Sequence, residues 1–276
     1  IALFAGGSIS KDFAPHAVKA GAVVIDNSSA FRMDPEVPLV VPEVNPQAIL
    51  KHKGIIANPN CSTIIMVMAL KPIYELSRIK RVIVSTYQAV SGAGKEGIDE
   101  LDNQVREHSE GREMIANILP SASAEKHYPI AFNLIPQIDV FCDNLYTKEE
   151  MKMINETKKI MEDNEMRITA TTIRVPVYRS HSESVNIELE QDVDLDVMRA
   201  ALAKFPGVTV QDDPASQEYP MPLYTSEKDD VYVGRLRKDE SCDKSYNLWV
   251  VGDQIRKGAA LNTLQIAETM IKNGWI

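Results

Sequence analysis

The stretch "NPNCST" at residues 58–63 places Cys61 at the mouth of the apolar run "IIMVMAL". A helix beginning here presents unpaired N–H groups and a partial positive charge, which favour thiolate over thiol. The same amides can stabilise an oxyanion formed when sulfur attacks an acyl carbon. A lone cysteine also serves as a small buried apolar group, and position alone leaves both readings open.

Other side chains could complete such chemistry. His181, in the polar segment "YRSHSES", can act as general acid and base for a thiol, or simply be a solvated loop histidine. Arg174 precedes it by an odd spacing, which puts the two on opposite faces of an unbroken strand, so a bulge or turn must intervene if both serve one pocket. Gln88, late in "STYQAVSGAG", can orient a carbonyl or a water, or satisfy a backbone group in its sheet. Arg32, in "SSAFRMD", carries a planar fork suited to an anion. Glu149 and Lys152 are three apart near the start of a helix, hence on one face. Each of these charges equally suits a solvated surface. "SGAGKEG" lacks the earlier glycine and the hydroxyl after Lys95 that a P-loop needs, which excludes that class of ATPase. "AGGS" after the first apolar run suits a phosphate cradle or a tight turn.

These residues need elements to hold them. The first 60 residues read as short buried strands, "IALFA", "AVVIDNSS", "PLVVPEV" and "GIIANP", with a helix at about 12–20, which suggests a parallel doubly wound sheet. "STIIMVMALKPIYEL" is apolar all round. Its length favours a helix, kinked or ended by Pro72. A strand, "RVIVSTYQAVS", and an amphipathic helix with Ile98, Leu101 and Val105 on one face come next. An irregular polar stretch runs to about 145, and a capping box from Thr147 to Glu150 opens a further helix. "ITATTIRVPV" and the alternating "SVNIELE" read as strands; a helix at 194–204, strands at 230–236 and 247–251 and a closing helix from about 262 follow. The second part is an α+β domain on an antiparallel sheet.

Composition narrows the functions. The 276 residues suffice for one large domain or two ordinary ones. A formal net charge of −9 argues against a general nucleic-acid binder, and no apolar run approaches the roughly 20 residues of a membrane helix. Three widely spaced cysteines fit a reducing compartment, and no C-x-x-C or H-x-x-x-H spacing offers a zinc site. The chain opens inside an apparent strand and without methionine, so a preceding segment is expected.

Taken together, "NPNCST", "STYQAVSGAG", "HYPIAFNLIPQID", "EEMKMINETKKIM", "RVPV", "HSESV", "VGRLRKD" and "WVVGDQIRKGAALN" resemble the aspartate-β-semialdehyde dehydrogenases in their bacterial form, nearly end to end. The resemblance implies that Cys61 attacks the acyl phosphate of β-aspartyl phosphate, that NADPH reduces the resulting thioester, and that the product serves lysine, threonine and methionine biosynthesis. It implies His181 as acid and base and Gln88 as the group that keeps the reactants in register. It gives Arg174 the substrate carboxylate, Glu149 its ammonium, and Arg32, Lys152 and Asn60 its phosphate. For NADP it implies Gly6, Gly7, Ser8, Ser91, Gly92 and Gln254; the family's opening strand and glycine-rich turn have no counterpart in this chain. The implied architecture is an incomplete Rossmann-like α/β domain, residues 1–60 and about 255–276, with an α+β catalytic and dimerisation domain at 61–254. A cytoplasmic homodimer or tetramer follows on the same grounds.

Three rivals stand against it. N-acetyl-γ-glutamyl-phosphate reductase acts on a substrate without a free ammonium, which leaves Glu149 surplus. A cysteine hydrolase or amidotransferase would use Cys61 and His181 but not Arg32, Arg174 or "AGGS". An inactive paralogue kept as a dimer partner would need none of them.

Overall fold

The computed structural model describes residues 1–4 and 6–276; Ala5, within the first expected strand, lies outside the described residues. In chain order the elements are β1 (Ala2–Phe4), α1 (Gly7–Lys19), β2 (Val24–Asp26), β3 (Ile55–Ala57), α2 (Cys61–Tyr74), β4 (Ile79–Gln88), α3 (Lys95–Ser109) and α4 (Lys148–Met161). Then come β5 (Arg167–Arg174), β6 (His181–Leu189), α5 (Leu195–Lys204), β7 (Val208–Val210), α6 (Pro222–Thr225), β8 (Val231–Lys238), β9 (Ser245–Gly252) and α7 (Leu261–Lys272). A turn of π-helix, Arg256–Ala260, leads into α7.

Strands β1, β2 and β3 form a parallel sheet in that order. Helix α1 starts earlier than the sequence pattern suggests, because Gly6 in an extended conformation serves as its N-cap. "PLVVPEV" forms only an isolated bridge, Leu39 to Ala57, because prolines at both ends remove ladder donors. Helix α7 returns to this sheet and buries Ile266 and Met270 with Ile25, Ile49 and Ile56.

The second sheet runs β5-β4-β6-β9-β8-β7, its three inner pairings antiparallel and its two outer ones parallel. Helix α2 is apolar all round because it is enclosed: every residue from Ser62 to Leu70 is buried in the main core. Pro72 lies in its last turns and the helix continues to Tyr74. In α3, Leu101 is buried as expected, but Val105 is exposed, and Gln104 and Glu107 are buried instead. Their side chains hold the irregular segment that follows, Gln104 accepting from the Ile130 and Ala131 amides and Glu107 from Ile115. Among the described residues, no helix is long and apolar enough to cross a membrane.

The order β5-β4-β6 has one consequence for chemistry. Gln88 ends β4, Arg174 ends β5, and the two are register partners. His181 opens β6 opposite Gly252, the last residue of β9. The chain between Arg174 and His181 leaves the sheet and returns to the same end, through Ser180 at φ 75°. The turn that the odd spacing requires is therefore present.

Candidate active site

At that end of the sheet lies a cavity of about 390 Å³. Arg32, Asn60, Cys61, Gln88, Gly92, Glu149, Lys152 and Arg174 line it, together with Ser29 and Asp139. Eight of the residues singled out in the sequence thus converge from five separate segments.

Cys61 is the first residue of α2, and Asn60 is its N-cap. The Asn60 Oδ1 accepts from the amides of Ser62 (3.1 Å) and Thr63 (3.2 Å), a cap worth about 1 kcal/mol. Two first-turn amides are therefore committed to the cap, and the Cys61 amide stands outside it. Gly258 of the π-turn closes the other side: a Cβ there would sit 3.0 Å from Cys61 Cβ. Only glycine allows that approach.

The thiol departs from expectation. It is pushed up to about 12, by burial first and by the Glu149 carboxylate second, against the opposing pull of Arg32 and Arg174. A helix terminus contributes up to about 2 kcal/mol in a partly buried site, whereas desolvating an ion costs several. Burial wins, and Cys61 rests as a thiol rather than a thiolate.

Glu149 is the hub. Its buried carboxylate accepts from Asn60 Nδ2 (3.0 Å), Gln88 Nε2 (3.2 Å) and Lys152 Nζ (3.2 Å). Burial pushes this carboxyl up, but Lys152, Asn60 and Gln88 together outweigh it and the net shift is downward. Lys152 also reaches Asp139 at 3.1 Å. Burial lowers its ammonium, the two carboxylates raise it, and the carboxylates prevail.

Arg174 donates from Nη1 to Ala89 O at 2.7 Å, while its buried Nε has no protein partner. His181 is fully buried and accepts from the Ala89 amide at Nδ1 (3.0 Å), which assigns the proton of the neutral ring to Nε2. Burial, then Arg174, holds its pKa well below the usual histidine value. At rest the ring is a donor through Nε2, an atom with no protein partner, rather than the base expected there. His181 stands behind Gly92: a Cβ at Gly92 would lie 2.7 Å from Arg174 Nη1 and 3.3 Å from His181 Nε2. Arg174 lines the cavity and His181 does not; Gly92 is what separates the ring from it.

Arg32 is buried and donates to Asn58 O (2.9 Å), Asn27 O (3.1 Å) and Glu156 Oε1 (3.2 Å). Sequence reasoning missed Glu156, Asp139 and Gly258. For Glu156 a signal existed, since Glu149, Lys152 and Glu156 share one helical face.

The residues expected at a dinucleotide are split. Gly6, Gly7 and Ser8 lie at the start of α1, directly after β1. No side chain caps the first-turn amides, and a Cβ at Gly7 would meet nothing within 4 Å, so the turn is open and suits a phosphate group. Ser91 and Gln254 are turned toward each other, the Gln254 amide donating to Ser91 Oγ while its Oε1 accepts from the Ser180 amide at 2.9 Å. Of that group only Gly92 lines the cavity.

Known proteins are similar to this chain along nearly its whole length. Residues 1–52 match the family described as semialdehyde dehydrogenase, NAD binding domain, and residues 70–257 match semialdehyde dehydrogenase, dimerisation domain. An aspartate-semialdehyde dehydrogenase of Aquifex aeolicus is 56% identical over 279 residues, which covers 100% of this chain and 80% of that protein. The crystal structure of aspartate semialdehyde dehydrogenase II from Vibrio cholerae superposes with a TM-score of 0.92 at 46% identity, over 99% of this chain and 80% of that one. The Candida albicans aspartate semialdehyde dehydrogenase, solved with NADP, gives 0.75 at 25% identity, over 99% and 78%.

Proposed function

The chain belongs to the aspartate-semialdehyde dehydrogenase family, and from that premise we propose that it converts β-aspartyl phosphate into aspartate semialdehyde through a thioester on Cys61, with NADP as its cofactor. The observation that carries this reading is one cavity holding a cysteine at a helix N-terminus, two arginines, a lysine and a buried carboxylate. An amino acid bearing an acyl phosphate needs each of them.

The substrate ammonium pairs with Glu149, and Arg174, with Nε unclaimed, takes the α-carboxylate. Pairing Glu149 with the ammonium removes the second-largest influence that keeps Cys61 protonated, while the carboxylate on Arg174 and the phosphate on Arg32 offset two influences that oppose it. Cys61 gives up its proton to water in the cavity, the thiolate attacks the acyl carbon, the carbon–oxygen bond to phosphate breaks, and Arg32 and Lys152 receive the departing anion, with Asn60 beside them. Splitting one displacement into two steps through a covalent intermediate lowers each barrier. His181 Nε2–H donates to the carbonyl oxygen as it gains charge, and Gln88, anchored by Glu149, keeps the acyl group in register. Moving a proton onto the ring would require His181 to release the Ala89 amide.

A nicotinamide cofactor, when bound, would supply the hydride needed to reduce the acyl group held on Cys61. Gly6, Gly7 and Ser8 would hold its phosphates through the amides of α1, and Gly92, with Ser91 and Gln254 behind it, would border the reacting end. In the same reading, residues 1–60 and about 255–276 form the cofactor domain and 61–254 the catalytic one; α7 packed on the first sheet supports this division. The dimerisation-domain match supports an oligomer, which we read as a homodimer. Three free cysteines accord with a reducing cytoplasm, and the product would feed lysine, threonine and methionine synthesis.

The test is an assay in reverse, with semialdehyde, phosphate and NADP as reactants and reduced cofactor as the readout. Reduction that depends on phosphate supports the reading. Release of phosphate from β-aspartyl phosphate without cofactor would favour a hydrolase.

A further inference from the structure

Helix α4 carries four charged residues along one stripe, Glu149, Lys152, Glu156 and Lys159, spaced so that all face the same way. The first two line the cavity. The other two reach past it. Glu156, 1% exposed, places Oε1 at 3.2 Å from Arg32 Nη1 and Oε2 at 2.6 Å from the Asn60 amide, the peptide that precedes Cys61. Lys159 Nζ donates to the carbonyls of Arg32 (2.8 Å), Asp34 (2.7 Å) and Val37 (2.8 Å). Neither residue lines the cavity, so neither can touch a substrate within it.

We propose that Glu156 and Lys159 are positioning residues for the phosphate end of the site, holding the Arg32 fork at a set distance from the first turn of α2. The inference rests on the reading that Arg32 receives phosphate. A guanidinium has five N–H donors. Three of those on Arg32 are committed to the protein, at Asn58 O, Asn27 O and Glu156, which leaves one on each terminal nitrogen of a side chain that lines the cavity. Two N–H groups in a fork match two oxygens of a phosphate. Their direction depends on all three anchors. Glu156 is the one that also touches the Cys61 helix, so it sets the distance between the bound phosphate and the sulfur. Lys159 fixes the backbone that carries Arg32. The placement matters because a misalignment of about 1 Å costs on the order of a hundredfold in rate.

Glu156→Gln turns one acceptor into a donor facing either the Arg32 Nη1 or the Asn60 amide, so one contact is lost whichever way the amide turns. Measured in reverse, Glu156→Gln is expected to raise the KM for phosphate by roughly tenfold while the KM for semialdehyde stays within about twofold. Lys159→Met is expected to raise the phosphate KM by about threefold in the same selective way. In an Arg32→Ala background Glu156→Gln should raise the phosphate KM by less than it does in the parent, since it acts in large part through that side chain. If Glu156→Gln does not fold, Glu156→Asp, which keeps the charge but shortens the reach, and Lys159→Met carry the test. An unchanged phosphate KM in these variants, with a raised one in Arg32→Ala, overturns this proposal alone. So does an equal effect on both substrates, which would mark a merely structural role. An unchanged phosphate KM in Arg32→Ala overturns the reading beneath it.

Discussion

The Glu149 carboxylate, bound by Asn60, Gln88 and Lys152, acts on the Cys61 thiol across the cavity and raises its pKa, second only to burial in doing so. The group assigned to the substrate ammonium thus also adds to what burial does in keeping the nucleophile protonated. A thiol armed at rest would be open to oxidants and stray electrophiles.

The first prediction follows from the sign of that influence. Thiolate is the reactive form, and a pKa pushed up to about 12 leaves little of it at neutral pH. Alkylation of Cys61 by iodoacetamide should be slow at pH 7 and still rising beyond pH 9. Glu149→Gln, by removing a nearby negative charge, should accelerate it at pH 8 by roughly tenfold, one pKa unit's worth. A rate that reaches its plateau below pH 7 in the parent protein would contradict this.

Gly92 sits where a methyl group would strike Arg174 Nη1 at 2.7 Å and press on the His181 ring. Gly92→Ala should lower kcat/KM by roughly a hundredfold through misplacement of both groups. Overpacking should cost about 1–3 kcal/mol of stability. Thermal unfolding beside steady-state kinetics separates the two effects; near-parent kinetics would show that the Arg174 and His181 positions are not critical.

Arg174→Lys keeps the charge but loses the planar fork, and a lysine has no second nitrogen to take the place of the unpartnered Nε. We expect the KM for semialdehyde to rise by roughly tenfold with the KM for phosphate little changed. The reverse pattern would move Arg174 to the phosphate end.

Glu183 is fully buried on β6 with neither carboxylate oxygen hydrogen-bonded. Burial, then Glu149, raises its pKa well above the ordinary value. In the unfolded chain it ionises near its usual pKa, while the folded protein keeps it protonated. Below that usual pKa the group costs nothing; as pH rises above it, stability is lost at roughly 1 kcal/mol per unit until the folded pKa is reached. Glu183→Gln cannot ionise, so its melting temperature relative to the parent should improve steadily from pH 5 to pH 8. A difference that does not vary with pH would show that Glu183 is ionised or paired.

What sequence could reveal here was local. The capping box of α4 involves residues three apart, and both of its hydrogen bonds form, between Thr147 and Glu150. The helix start at Cys61 follows from Asn60 and the apolar run beyond it. The meeting of Arg174 with His181 was not legible, because it depends on β4 lying between β5 and β6, a pairing of strands distant in sequence. Glu156 looks like a solvated charge on an amphipathic helix until α4 docks on α2 and buries it. Asp139 lies in the irregular stretch, at φ 69°, where no periodicity points to it. The ionisation of Cys61 was misjudged for a related reason. A helix dipole is a local property that can be read from a motif, whereas desolvation belongs to the assembled core and here is the stronger of the two.

The central claim is a covalent bond between the substrate's acyl carbon and Cys61, and mass spectrometry of the stalled enzyme tests it most directly. With semialdehyde and NADP present and phosphate withheld, the thioester has no acceptor. We predict one β-aspartyl group per chain, on the peptide containing Cys61, discharged when phosphate is added. Cofactor reduction that proceeds with Cys61 unmodified, or an acyl group found on another residue, would contradict the account.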